Sequence, residues 1–322
     1  MTAREIWIVA ETRKGSLTKV TRQLLGAARS LATQKELSVV AVLVAGDQAQ
    51  ADELAQLAAN VIWLNQAELS PYEATRQVDA LGQLIEKRGR PFAVLAGSSS
   101  AANEFMPRLA ARYQSGYASN CVDLRWEGEE LAVRRPVYGG RVYEELAFCQ
   151  TPAWATFRPG AFDLKKKLAS PGQLEQVTID LPESNRPLVG ELKIGAIQDI
   201  ELSEATRVVA GGRGLGEPQN FELVEQLAQV LQAAIGASRA IVDAGWRPHT
   251  EQVGKSGKTI SPELYIACGI SGAVHHTLGM NTSKVVVAIN SDPEATIFKH
   301  ADYGIVGDAI EILPALTEAL KS

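Results

Sequence analysis

Apolar runs and helical apolar spacings alternate along the first half of the chain. Ile6 to Glu11 reads as a strand, and Val20, Leu24, Ala27, Ala28 and Leu31 then recur at helical spacing. Val39 to Val44 is a continuous run rich in β-branched residues, the pattern of a parallel strand covered on both faces. Ala51 to Ala59 predicts a helix and Val61 to Leu64 a strand. Tyr72 to Arg88 carries Val78, Leu81 and Ile85 on one helical face, Phe92 to Ala96 is a strand, and Phe105 to Tyr113 is helical again. A βαβα series of this kind builds a parallel sheet with right-handed crossovers.

The pattern changes after Cys121. Val122–Trp126, Leu131–Arg134 and Val142–Cys149 are strand-like and separated by short turns, which predicts an antiparallel extension of the sheet. Ser170 to Pro187 is rich in proline and polar residues, with one strand-like piece at Gln176–Ile179, and a domain boundary is expected near Ser203. The periodic pattern then resumes. Thr206–Ala210 is a strand, followed by the glycine loop Gly211–Gly216 and a long amphipathic helix from Phe221 to Ile235. Asn220 is its expected N-cap and Gly236 its stop. Glu263–Cys268 and Lys284–Asn290 are buried strands, Ala301–Asp308 contains a last short one, and Pro314–Lys321 closes the chain as a helix. The expected fold is therefore α/β in two domains. Residues 1–203 form a parallel-sheet domain with an antiparallel extension, and 204–322 a doubly wound domain.

With 322 residues, 46% hydrophobic and 21% charged, the chain can bury ordinary cores without staples. A net charge of -5 argues against general attraction to nucleic acid. The three cysteines, Cys121, Cys149 and Cys268, are far apart and show no metal-ligand spacing, so neither a metal site nor a disulfide framework is expected. No apolar run is long enough to span a membrane. The N-terminus enters a strand at once, without a signal or transit pattern, and points to the cytoplasm.

Candidate chemistry concentrates at the ends of the C-terminal strands. Five of them end in polar or glycine-rich segments, at Arg213, Ser238, Ser271, Asn290 and Asp308. In a parallel sheet, ligands bind at the carboxyl ends of strands, where backbone N–H groups collect anions. Between Glu251 and Gly279, two glycine-hydroxyl loops flank one strand, and His275 and His276 follow. Individually these residues have plainer readings: His275 or His276 as helix surface or core, Ser256 and Asn290 as turn residues. Arg158 alone reads as a solvated turn cation, Lys165–Lys167 as a solvated face, and Gly97–Ser100 as a serine-capped helix start rather than a P-loop.

The ordered set of GGRGLG at Gly211–Gly216, GASRAIVDAGW at Gly236–Trp246, QVGKSGK at Gln252–Lys258, PELYIACGISGAVHH at Pro262–His276, VVVAINSDPEATIF at Val285–Phe298 and ADYGIVGD at Ala301–Asp308 resembles the α subunit of electron transfer flavoproteins, including the FixB branch. WIVAE at Trp7–Glu11 and TFRPG at Thr156–Gly160 extend the resemblance, more loosely, to the N-terminal half. The resemblance implies one FAD held by the C-terminal domain. It places Arg213 on the FAD, Ser238 and Arg239 at the ring and phosphates, Val253, Gly254, Lys255 and Ser256 at the flavin, and the Ser256 hydroxyl beside N5. It aligns Ser271, Gly272, Ala273, Val274, His275 and His276 with the family's second flavin loop, His276 facing the pyrimidine edge, and puts Asn290 and Asp308 toward the adenosine. No catalytic residue and no metal is implied, since the role is that of an electron carrier.

The implied partner is a β subunit holding AMP or a second FAD. A flavin dehydrogenase, NADH or a membrane quinone oxidoreductase would be the redox partners, and electron bifurcation is a further option. Arg158-Pro159-Gly160 resembles the FixB and bifurcating branches. Lys255 and His275 stand where the family usually has glutamine, and Ser256 where it has threonine; Lys255 is expected to raise the flavin potential. Two readings from other classes stay open. One is an NAD-dependent Rossmann-like oxidoreductase, for which the glycine spacing is not the clean fingerprint. The other is a cofactor-free interaction module.

Overall fold

The computed structural model describes residues 2–13, 15–140, 142–181 and 202–321. The chain divides into two compact units, Met1–Lys193 and Ile194–Ser322. The end of the proline-rich stretch, 182–187, lies outside the described residues. The first unit contains β1 (Thr2–Ala10), β2 (Thr12–Arg13), β3 (Ser16–Leu17), α1 (Lys19–Ala32), β4 (Ser38–Val44), α2 (Gln48–Ala55), β5 (Asn60–Leu64), α3 (Ala74–Arg88) and β6 (Arg90–Gly97). It continues with α4 (Ser100–Arg112), β7 (Tyr117–Cys121), β8 (Asp123–Glu127), β9 (Glu130–Val137), β10 (Val142–Phe148), β11 (Ala153–Phe157) and β12 (Gln173–Gln176).

Seven strands form one parallel sheet in the order β12-β5-β4-β1-β6-β11-β7. The central strand shows why. Ile6 and Ile8 pack into the core on one face and Trp7 and Val9 into the core on the other, all of them buried. Alternate side chains of a strand point to opposite faces, so only a continuous apolar run can be covered on both sides. Ser99 caps α4 by accepting from the Ala102 N–H, as expected for the serine run. The antiparallel strands do not extend this sheet. They form a sheet of their own, β10-β9-β8. The polar strand lies at Gln173–Gln176, ahead of the expected 176–179, and pairs with β5; Ile179 packs into the core instead.

The second unit contains β13 (Arg207–Gly211), α5 (Phe221–Val230), β14 (Ala234–Ala237), α6 (Arg239–Asp243), β15 (Leu264–Cys268), α7 (Val274–Thr277), β16 (Val285–Asn290), β17 (Tyr303–Val306) and α8 (Ala309–Ala319). Its five strands are parallel in the order β14-β13-β15-β16-β17. The chain moves outward from β13 to β14 and then crosses back to β15. The strand order therefore reverses between β13 and β15, a topological switch point of the kind where ligands bind in open α/β sheets.

Three local expectations need correction. The helix after the glycine loop ends at Val230, and Ala234–Ala237 is an edge strand. Gln232 takes a left-handed φ of 49° and the Ala233 N–H returns to the Ala228 carbonyl, which ends the helix and frees the next residues to pair with β13. Asn220 makes no side-chain cap; its Nδ2 donates to the Leu215 carbonyl at 2.8 Å and braces the glycine loop. The last helix starts at Ala309, ahead of Pro314, because Asp308 caps it.

Candidate functional site: a groove at the switch point of the C-terminal sheet

Two loops meet at the switch point. The Gly212 N–H donates to the Cys268 carbonyl and the Gly214 N–H to the Gly269 carbonyl, each at 2.9 Å. The backbones lie so close that a Cβ on Gly214 would stand 2.8 Å from the Gly269 Cα. That contact explains the glycines here, since real Cβ atoms do not approach so near.

A third loop docks on the helix that follows. The Lys255 N–H donates to the His275 carbonyl at 2.7 Å, and the Gly254 N–H to the Lys258 carbonyl at 3.1 Å. Gly254 has φ 141°, and a Cβ there would sit 2.7 Å from the His275 carbonyl oxygen. The loop is anchored from below by Arg247, whose Nε and Nη2 grip the buried Glu251 at 2.6 and 2.8 Å while Nη1 reaches Glu225. The same guanidinium lies 4.6 Å over the Phe221 ring. Buried Gln252 donates from Nε2 to the Ser256 hydroxyl at 3.0 Å. An accepting serine oxygen leaves its own O–H free to donate elsewhere.

These loops enclose a cavity of about 470 Å³, inside the range typical of ligand pockets. Arg213, Ser238, Arg239, Val253, Gly254 and Ser256 line it. So do Ser271, Ala273, His275, His276 and Asn290. Four of the residues singled out from sequence are not in the lining. Gly272 is held at φ 82° where a Cβ would meet the Ile297 N–H, Val274 is exposed, and Lys255 enters through its backbone while its side chain is exposed. Asp308 spends its Oδ1 on the Ile310 N–H as the cap of α8. Gly214, Ala240, Gly269, Ile270, Asp292 and Ala295 line the cavity without having been predicted. Proximity of two glycine loops was the one available signal, and it applies to Gly214 and Gly269.

The lining divides by chemistry. Arg213 and Arg239 are exposed cations at the rim, the latter paired with Asp243 at 3.1 Å. Ser238 makes no helix-cap hydrogen bond, which leaves its hydroxyl available to a ligand. Asn290 is committed on both sides, its Nδ2 donating to the Ile270 carbonyl and its Oδ1 accepting from the Asp292 N–H, each at 2.9 Å. His276 is buried. Its Nε2 lies 2.8 Å from the Tyr265 hydroxyl and its Nδ1 has no hydrogen-bond partner. Burial lowers its pKa to about 4, against a smaller opposing effect of a weak hydrogen bond to the Val253 backbone. Burial also pushes the Cys268 thiol, behind the site, up to about 12.

A larger cavity, about 580 Å³, opens at the carboxyl end of the first unit's sheet. Its lining includes Glu11 and Asp47 and no lysine or arginine. Size alone would favour it, but carboxylates repel a phosphate that arginines attract. Arg158, in the first unit, is half-buried rather than solvated, and its Nε lacks a partner. Burial lowers its pKa.

Fold and site together define a doubly wound α/β protein with a groove for an extended anionic ligand. Residues 6–182 match the electron transfer flavoprotein domain and residues 201–281 the electron transfer flavoprotein FAD-binding domain. The chain is 38% identical to the electron transfer flavoprotein subunit alpha of Bacillus subtilis (strain 168), over 99% of this chain and 98% of that one. It is 42% identical to the protein of that name from Mycobacterium tuberculosis (strain ATCC 25618 / H37Rv), with 99% and 98% covered. It is 36% identical to Protein FixB of Clostridium saccharobutylicum, with 98% and 96% covered. The chain belongs to the electron transfer flavoprotein α-subunit family, and its C-terminal part is that family's FAD-binding domain. The residues present suit the cofactor: a glycine cradle that a Cβ would fill, rim arginines, and an orphaned buried imidazole nitrogen.

Proposed function

We propose that the chain works as the FAD-carrying subunit of a heterodimer with a β subunit that holds AMP or a second FAD. It takes electrons from a flavin dehydrogenase or from NADH and hands them to an acceptor such as a membrane quinone oxidoreductase. With a second FAD on the partner, the pair would bifurcate electrons. In this reading residues 1–203 form the scaffold and subunit interface, 204–322 hold the cofactor, and the protein works in the cytoplasm. Among the described residues no helix is long and apolar enough to cross a membrane.

The observation that carries the reading is the convergence of Arg213, Arg239, Ser256 and His276 from separate loops on one cavity at the sheet's switch point. Bound FAD supplies reversible electron acceptance at its ring. Arg213, Ser238 and Ser271 would hold the pyrophosphate, with backbone N–H groups of the glycine loops alongside. Arg239, Ser256 and His276 would line the ring, with Val253, Gly254, Lys255, Gly272, Ala273, Val274 and His275 shaping the two loops beside it. Asn290 and the oxygen of Asp308 not used in its cap would lie toward the adenosine. A cation and an N–H donor at the ring favour states in which it carries more negative charge.

The test is co-expression with a β-type partner, followed by FAD titration. The expected product is yellow and contains one FAD on this chain. Arg213→Ala and Arg239→Ala weaken FAD binding by roughly tenfold or more each, as loss of a charge-assisted hydrogen bond predicts. A colourless protein that takes up no FAD overturns the proposal and leaves the interaction module. Tight NAD binding without FAD would favour the dehydrogenase.

A further inference from the structure

Tyr265 is the second residue of β15 and is fully buried. Its hydroxyl makes one hydrogen bond, to Nε2 of His276 at 2.8 Å, and the two rings are tilted by 50° with centroids 6.2 Å apart. A hydrogen bond between a phenol and a neutral imidazole can run either way, and the two directions have different consequences. If Nε2 carried the proton, it would donate to the phenol oxygen and the phenolic hydrogen would be buried without an acceptor. An unmet buried donor is costly. If Nε2 is bare, the phenol donates to it and the phenolic hydrogen is satisfied. The imidazole proton then resides on Nδ1, which is buried without a close hydrogen-bond partner, and a weaker hydrogen bond to the Val253 backbone favours the protonated nitrogen.

We propose that Tyr265 is a positioning residue that holds the His276 proton on Nδ1, so that the histidine meets the bound cofactor as a neutral ring in one fixed orientation. The inference rests on the reading of this cavity as the FAD site. His276 lines that cavity and Tyr265 does not, so the phenol acts only through the imidazole. The low pKa of the buried ring agrees with a neutral imidazole. An imidazolium would donate from both nitrogens and turn the phenolic hydrogen away from its acceptor, leaving it unmet. Reading Tyr265 only as a strand position misses this role: a phenylalanine side chain would pack equally well there and leave the proton free to occupy either nitrogen.

The tautomer can be read directly. The full-length heterodimer is prepared with ¹⁵N-labelled histidine and its FAD removed, and the His276 signals are assigned by difference from His276→Asn among the protein's 4 histidines. In the wild type, Nδ1 is expected at a protonated, pyrrole-like shift and Nε2 at an unprotonated, pyridine-like one. In Tyr265→Phe both shifts move to averaged values. FAD affinity falls roughly tenfold, about one hydrogen bond's worth, and the far-ultraviolet circular dichroism stays unchanged. A wild-type proton on Nε2, or an unchanged spectrum in Tyr265→Phe, overturns the proposal. Should Tyr265→Phe fail to fold, the wild-type tautomer alone still decides. The FAD-free tautomer and the FAD titration fail separately: loss of the cavity as an FAD site would show as wild-type-like FAD binding in His276→Asn and Arg213→Ala, with the tautomer intact.

Discussion

At the scale of single residues, the site works by committing one face of each polar group to the protein and leaving the other for the ligand. Gln252 does this for Ser256, and Asn290 gives one N–H and one lone pair to the protein and keeps the others. His276 also carries a pH signature. Its pKa is about 4 in the folded protein against 6.5 for a free histidine, so the unfolded chain binds the extra proton between these values. Stability is therefore fully present above about pH 6.5 and declines as the pH falls toward about 4, by roughly 3 kcal/mol for this group. Urea denaturation of the FAD-free protein across that window should show the decline, and His276→Asn should flatten it; parallel curves would refute the assignment. Lys255 is exposed outside the lining, so its charge acts through solvent. Lys255→Gln should lower the flavin potential, and the difference should shrink as salt is raised. A difference that persists at high salt would place the ammonium inside the groove.

At the scale of elements, the second unit sets loops on a rigid sheet and then ties the loops to one another. The 253–258 loop depends on two ties: Gly254 against the His275 carbonyl, and Glu251 in the grip of Arg247. Gly254→Ala adds a Cβ where none fits, at a φ that other residues avoid, and is expected to destabilise by about 1–3 kcal/mol. The same change should weaken FAD binding more than it lowers the melting temperature of the rest of the chain. Glu251→Ala would leave Arg247 half-buried with one partner fewer, at a loss of about 3 kcal/mol. Calorimetry on each variant, with and without FAD, separates loosening of the loop from loss of the fold. Much of this level was legible in advance. Strands buried on both faces advertise themselves as apolar runs, and glycine-hydroxyl loops at their ends advertise a ligand. β14 was not legible, because Ala233–Ala237 continues the small apolar pattern of the helix before it. Only the left-handed turn at Gln232 and the waiting edge of β13 make it a strand. Tyr265, Gln252 and Glu251 escaped for a related reason: a polar residue in a buried position acquires its meaning from the partner that tertiary structure brings to it. Asp308 shows the converse, a side chain suited to a ligand that the structure first employs as a helix cap.

At the scale of the whole molecule, both units are built to the same plan of a parallel sheet with a cavity at its carboxyl edge, and charge decides between the cavities. The first unit's is lined by Glu11 and Asp47, the second's by Arg213 and Arg239. That asymmetry predicts which cavity binds an anionic dinucleotide before any family is considered. It also predicts that Arg213→Glu abolishes FAD binding, whereas Asp47→Asn leaves it unchanged. The thiols report on the integrity of both units at once. Cys121 and Cys268 are buried, one in each unit, and burial pushes both thiols up to about 12, whereas Cys149 is exposed. A thiolate-specific reagent near neutral pH should therefore modify Cys149 rapidly in the native chain and reach all three cysteines only in denaturant. Because Cys268 lies at the end of β15 directly behind Gly269, its reactivity also measures opening of the FAD groove. FAD should slow the modification of Cys268 during partial unfolding and leave Cys121 unaffected. Equal protection of both cysteines by FAD would mean that the two units open together, and the assignment of cofactor stabilisation to the second unit would then fail.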